Sequence, residues 1–110
     1  MEKIIDKNIE IAKKIIIEEV EKAGYNVVNI ILFGSRARGD YKEYSDYDFF
    51  VVLKEDIERR DESDLLLKIR RKLAKSRIRN DTLINSINEL QESNNVGNIA
   101  YYALKYGVVV

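Results

Sequence analysis

Two short apolar runs constrain this chain most: VVNIILF at 27–33 and FFVVL at 49–53. Each is too short for an ordinary helix, rich in β-branched or aromatic residues, and continuous rather than alternating. Runs of that kind predict strands covered on both faces, and so a sheet with helices layered against it. Gly34 closes the first run, and Asp46-Tyr47-Asp48 leads into the second. The strands are therefore expected over 27–33 and 46–53, the second central in the sheet.

The flanks supply the helices. Over 2–23, Ile5, Ile9, Ala12, Ile16 and Val20 recur at spacings of three and four, an amphipathic stripe that Gly24 ends. Over 61–77, Leu66, Ile69 and Leu73 hold helical spacing, with acids at the start and bases at the end, as the helix dipole favours. IRNDTLINSI follows as a third strand, the polar stretch 88–95 as an exposed turn or frayed helix end, and VGNIAYYALKYGVVV as a short helix with a terminal β segment. This order predicts an α/β (α+β) fold, with helices packed on a small mixed sheet. At 110 residues, without a low-complexity linker, the chain is expected to form one domain over 1–110, burying roughly two-thirds of its unfolded surface.

Composition narrows the chemistry. With neither cysteine nor histidine, the chain can build no disulfide, zinc–thiolate site, Ser-His-Asp triad or Cys-His pair. Metal chemistry would have to use oxygen ligands, which suit magnesium, manganese or calcium. Nineteen basic and nineteen acidic residues cancel, so direct nucleic-acid binding is not the default expectation. No apolar run is long enough to cross a bilayer and no leader pattern opens the chain, so a cytoplasmic location and no membrane partner are expected.

The segment FGSRARGDYKEYSDYDFFVV carries the chemical signal. By strand alternation Asp46 and Asp48 would share one face while Tyr47 and Phe49 take the other. Two like charges close together in a partly dry place need a compensating cation, and a divalent metal supplies one. Upstream, Gly34 lets the backbone approach a ligand, Ser35 offers a hydroxyl, and Arg36 and Arg38 offer guanidinium groups to phosphate oxygens. A polyphosphate–magnesium ligand satisfies both halves. An isolated Asp-x-Asp is commonly a solvated turn; the combination with Gly-Ser after an apolar strand is what gives the motif weight. Gly39-Asp40 reads as a turn, and the charged cluster 55–62 as a solvated loop and helix start.

Gly34-Ser35, ten intervening residues, then Asp46-Tyr47-Asp48 resembles the Gly-Ser…Asp-x-Asp signature of the polymerase-β-type nucleotidyltransferases, and most of all their minimal nucleotidyltransferase (MNT) branch. The resemblance implies a palm-like mixed sheet. It further implies that Gly34 and Ser35 contact nucleotide phosphates, that Asp46 and Asp48 hold two Mg²⁺ ions, and that a third carboxylate on a neighbouring strand completes the site. Asp81 is the candidate by chain order. The branch also implies ATP as substrate and a HEPN-type toxin partner, whose tyrosine would receive AMP, making this chain an antitoxin. Two other readings stand beside it: a docking subunit without catalysis, and a transferase acting on a small molecule or an RNA end.

Overall fold

The computed structural model describes residues 6–92 and 105–110. Helix α1 (Lys7–Lys22) opens at Asp6, whose carboxylate accepts from the Asn8 backbone N–H at 2.8 Å, the usual way an N-cap satisfies an orphan donor. Its buried face is Ile9, Ala12, Ile16 and Val20, the stripe expected from spacing; Ile5 lies outside the described residues. Strand β1 (Val27–Phe33) is followed by a single helical turn, α2 (Ser35–Arg38). Then come β2 (Tyr47–Leu53), α3 (Arg59–Lys75), β3 (Asn80–Ser86), α4 (Ile87–Glu92) and the two-residue β4 (Val108–Val109).

The sheet order is β3-β2-β1-β4. β1 runs antiparallel to β2 and to β4, while β2 and β3 are parallel and joined through α3, as a parallel pair requires. The mixed α/β sheet expected from the sequence is therefore present, and β2 lies inside it. One face of the sheet meets α1 and α3. There Ile30, Leu32, Tyr47, Phe49, Val51, Leu53 and Ile84 pack with the helical stripes and Ile78 in the main core. The opposite face carries a smaller cluster of Ile31, Phe50 and Val52, with Phe33, Leu83 and Leu90 against it. Strand alternation puts Asp48 in line with Phe50 and Val52, on this second face.

Four local expectations change. β1 is not buried throughout: Val28 and Asn29 are exposed, because β4 pairs only with Ile31 and Leu32 and leaves the start of β1 as an edge. In α3 the buried stripe is Leu65, Ile69 and Leu73, a regular four-residue repeat; Leu66 is half-buried beside it, and the helix starts at Arg59 rather than 61. The polar stretch after β3 opens as helix α4, with Glu89 and Ser86 bonded reciprocally (Ser86 N–H to Glu89 Oε1 at 3.0 Å, Glu89 N–H to Ser86 Oγ at 3.1 Å). That is a capping box, legible as S-x-x-E. The end of that polar stretch and most of the helix expected before the terminal β segment fall outside the described residues, but Lys105 and Tyr106 are helical and the terminal β segment is present as β4.

α1 and α3 are also joined by charge. The Glu19 carboxylate, 6% exposed, accepts from Lys72 Nζ at 2.6 Å and lies 3.5 Å from Lys22 Nζ. The Lys72 hydrogen bond holds the Glu19 carboxyl below its ordinary value against the opposing effect of burial. No helix among the described residues is long and apolar enough to cross a membrane.

Candidate active site

The site is assembled at one end of the sheet, where β1 leaves it and β2 and β3 enter. In register, Phe33 stands opposite Asp48, and Asp48 opposite Asp81. The third acidic candidate, chosen by chain order alone, is thus the immediate cross-strand neighbour of the second. Parallel strands lie about 4.8 Å apart and in-register side chains share a face, so the two carboxylates feel one another strongly. Burial, then Asp81, then Asp46 raise the Asp48 carboxyl above its ordinary value, and only Arg38 opposes them.

Gly34 explains the closeness of the first half of the motif to the second. Its backbone sits at φ +73°, ψ −158°, a conformation essentially confined to glycine. A Cβ built there would overlap the Asp48 Oδ2. The glycine therefore makes room for the carboxylate as well as turning the chain from β1 into α2. Ser35 begins α2 half-buried, and its hydroxyl makes no hydrogen bond among the described residues. The first N–H groups of such a turn have no intrahelical acceptor, so the hydroxyl and backbone together form a donor group beside Asp48.

The two arginines differ. Arg36 is committed to the loop: Nε and Nη2 donate to the Ser45 carbonyl at 3.2 and 3.0 Å, and Nη2 also donates to the Glu43 carbonyl at 3.1 Å. Its guanidinium lies 4.4 Å from the Tyr41 ring centroid and 4.3 Å from that of Tyr47. Tyr47 is anchored in turn, donating to Asp6 Oδ2 at 2.6 Å and accepting from Asn8 Nδ2 at 3.3 Å. Arg36 therefore fixes the loop that delivers Asp46. Arg38 is exposed, paired only with Asp40 at 3.3 Å, and is the guanidinium open to an anion.

Asp46 stands one residue before β2, not inside it, because the strand starts at Tyr47, whose N–H donates to the Arg79 carbonyl at 2.9 Å. Its carboxylate faces Arg79 Nε at 3.3 Å, while Asp81 lies 3.8 Å from Arg70 Nη2; the two carboxylate side chains are 49% and 58% exposed. Sequence reasoning missed both arginines. Arg70 precedes the last turn of α3, and only the packing of α3 on β3 brings it to Asp81. Among the described residues, no three carboxylates converge closely enough to hold a metal ion as they stand. The donors nevertheless suit a hard divalent cation. Asp48 has no hydrogen bond or ion pair among the described residues, and its neighbours raise the cost of its charge. The exposed ion pairs that turn Asp46 and Asp81 aside are each worth only ~0–1 kcal/mol.

The nucleotidyltransferase domain family matches residues 13–106, which contain Gly34, Ser35, Arg36, Arg38, Asp46, Asp48 and Asp81. The chain belongs to that family. Among solved structures similar in fold are two of interest. One is a toxin–antitoxin crystallised with AMP-PNP: TM-score 0.57, 18% identity, covering 88% of this chain and 70% of that one. The other is a provisionally assigned nucleotidyltransferase from Sulfolobus solfataricus: TM-score 0.51, 23% identity, covering 96% and 87%. No curated protein matches. The family's general chemistry, transfer of a nucleotidyl group, is thus the chemistry of this domain.

Proposed function

We propose that this nucleotidyltransferase moves AMP from ATP to a hydroxyl, a tyrosine of a HEPN-type toxin partner, and acts as that partner's antitoxin. The observation carrying the reading is the row Gly34–Asp48–Asp81: a glycine that admits a half-buried carboxylate, and a second carboxylate in register beside it. The toxin–antitoxin neighbour with AMP-PNP supports a toxin as partner and an adenine nucleotide as substrate.

In this reading Asp46, Asp48 and Asp81 would hold Mg²⁺, two ions when the site is full, whose chemistry is to neutralise phosphate charge and polarise the α-phosphoryl group. Ser35, the Gly34 turn and Arg38 bind the β- and γ-phosphates. Arg36 positions the Asp46 loop, a role that replaces the phosphate contact expected of it. The acceptor oxygen attacks the α-phosphorus in line, the bond from that phosphorus to the bridging oxygen of the β-phosphate breaks, and pyrophosphate leaves. The hydroxyl proton passes to the Asp81 carboxylate, which sits across from Asp48 and half in solvent.

The test follows label from α-³²P-ATP with magnesium into a purified candidate partner, comparing wild type with the Asp46→Asn, Asp48→Asn double variant. Label on the partner that disappears in the variant, and is absent with γ-labelled ATP, supports the reading. Partner neutralisation that survives the double variant without any label means inhibition by docking instead, and label on RNA or a small hydroxyl compound changes the acceptor.

A further inference from the structure

A groove of about 560 Å³ lies where the C-terminal end of α3 meets the start of β3, lined by Asp46, Arg70, Ala74, Arg77, Ile78, Arg79 and Asn80. It borders the candidate active site directly, since Asp46 belongs to both. The chain is electrically neutral overall, yet residues 68–79 hold seven of its nineteen basic residues and no acid. Three arginines from this segment reach the groove.

The arginines are not equivalent. Arg70 and Arg79 balance Asp81 and Asp46, and Arg70 also donates to the Thr82 carbonyl at 2.8 Å. The side chain of Arg77 makes no ion pair or hydrogen bond among the described residues. Its backbone is at φ +61°, the one positive φ among the described non-glycine residues, just past the end of α3. Glycine is the residue that suits this position. An arginine held in the left-handed region strains the backbone and offers an unpaired guanidinium to the groove, which is a reason to look for a ligand.

The side of the site on which the groove lies identifies what it would receive. Ser35 and the Gly34 turn follow β1, on one flank of Asp48; the groove lies by β3, on the other flank. With the departing phosphates held near Ser35, in-line geometry brings the acceptor from the β3 side. We propose that the Arg70–Arg77–Arg79 groove binds an acidic peptide segment next to the acceptor hydroxyl of the partner protein. This rests on the protein-acceptor reading above and adds the charge by which the acceptor is recognised. Forked guanidiniums pair carboxylates, and Ala74 adds a small exposed apolar surface. An RNA end would favour an aromatic stacking platform, and among the described residues no aromatic lines this groove.

Binding is measured apart from chemistry, by fluorescence anisotropy at roughly 0.15 M salt. The probes are a fluorescein-labelled peptide with a tyrosine between glutamates, the same peptide with glutamines, and a labelled oligoadenylate RNA. Arg77→Gly is the informative variant because it suits the backbone it replaces: its Tm should equal or exceed that of wild type. The glutamate peptide should bind wild type about tenfold more tightly than the glutamine peptide, and Arg77→Gly should remove most of that preference. Lys14→Gln, which deletes an exposed charge on α1, should change affinity less than about twofold. Equal binding of the two peptides, or an Arg77→Gly effect no larger than that of Lys14→Gln, overturns the proposal. RNA bound more tightly than the glutamate peptide, and released by Arg77→Gly, overturns it in favour of a nucleic-acid acceptor. Arg77-dependent peptide binding without any α-label transfer retains the groove and removes the transfer reading; α-label transfer to the partner without peptide discrimination does the reverse.

Discussion

Replacing Gly34 by alanine tests the link between the two halves of the motif. At φ +73°, ψ −158° an L-residue is strained by about 1–3 kcal/mol. The new Cβ would overlap Asp48 Oδ2 and come within 3.0 Å of its Cγ, but only 3.4 Å from its Cβ, an ordinary contact. The carboxylate can therefore escape by rotating, at a further cost of ~0.5–1.5 kcal/mol for an unfavourable rotamer. Alanine returns ~0.4–1 kcal/mol by reducing unfolded-chain entropy. The net loss is about 1–3.5 kcal/mol, or roughly 5–20 °C in Tm for a domain near this size. Chemical denaturation of wild type, Gly34→Ala, Asp48→Ala and the double variant closes a cycle. Because alanine at 48 keeps only the atom that does not clash, the double variant should recover the rotamer part, a coupling of about 0.5–1.5 kcal/mol. A Gly34→Ala cost below about 0.5 kcal/mol, or the same cost in both backgrounds, would refute the packing of glycine against carboxylate. Nucleotidyl transfer should be lost in Gly34→Ala even where the protein stays folded, since Asp48 is turned aside.

Asp48→Asn should raise Tm by a few degrees at neutral pH while abolishing transfer, because the charge at Asp48 is opposed by burial, Asp81 and Asp46; a lower Tm would mean the charge is already compensated. The sign follows from linkage: a raised folded carboxyl pKa means the native state binds more protons, so this group lowers stability as pH rises above 3.8. Glu19 has the opposite sign. Its lowered pKa stabilises the fold above the ordinary 4.5, and that contribution is lost as pH falls below it, so Glu19→Gln should flatten the drop in Tm between acetate and formate buffers. Arg36→Ala should cost about 1–2 kcal/mol and speed proteolytic nicking in the loop between Gly39 and Asp46, read by timed digestion of the folded protein. Unchanged digestion would show that the tyrosines hold the loop without the arginine.

Both inner strands, the two long helices and the Gly-Ser…Asp-x-Asp pairing were legible because each is written in neighbouring residues: a continuous β-branched run, a three-four apolar stripe, a fixed gap within one loop. β1 from Val27 to Phe33 is a strong example, since Gly34 ends it by backbone conformation alone. Spacing did not determine the partial exposure of β1, which depends on how far β4 reaches along it. Nor did it determine the commitment of Arg36 to the Ser45 and Glu43 carbonyls, or the ion pairs from Arg70 and Arg79. Long cationic side chains have several partners within reach, and only the assembled sheet and helix layer selects among them. Asp81 shows the division most clearly. Its chain order made it a candidate, but its place beside Asp48 is a matter of parallel register, decided when α3 packs across the sheet and sets which residue of β3 meets which residue of β2.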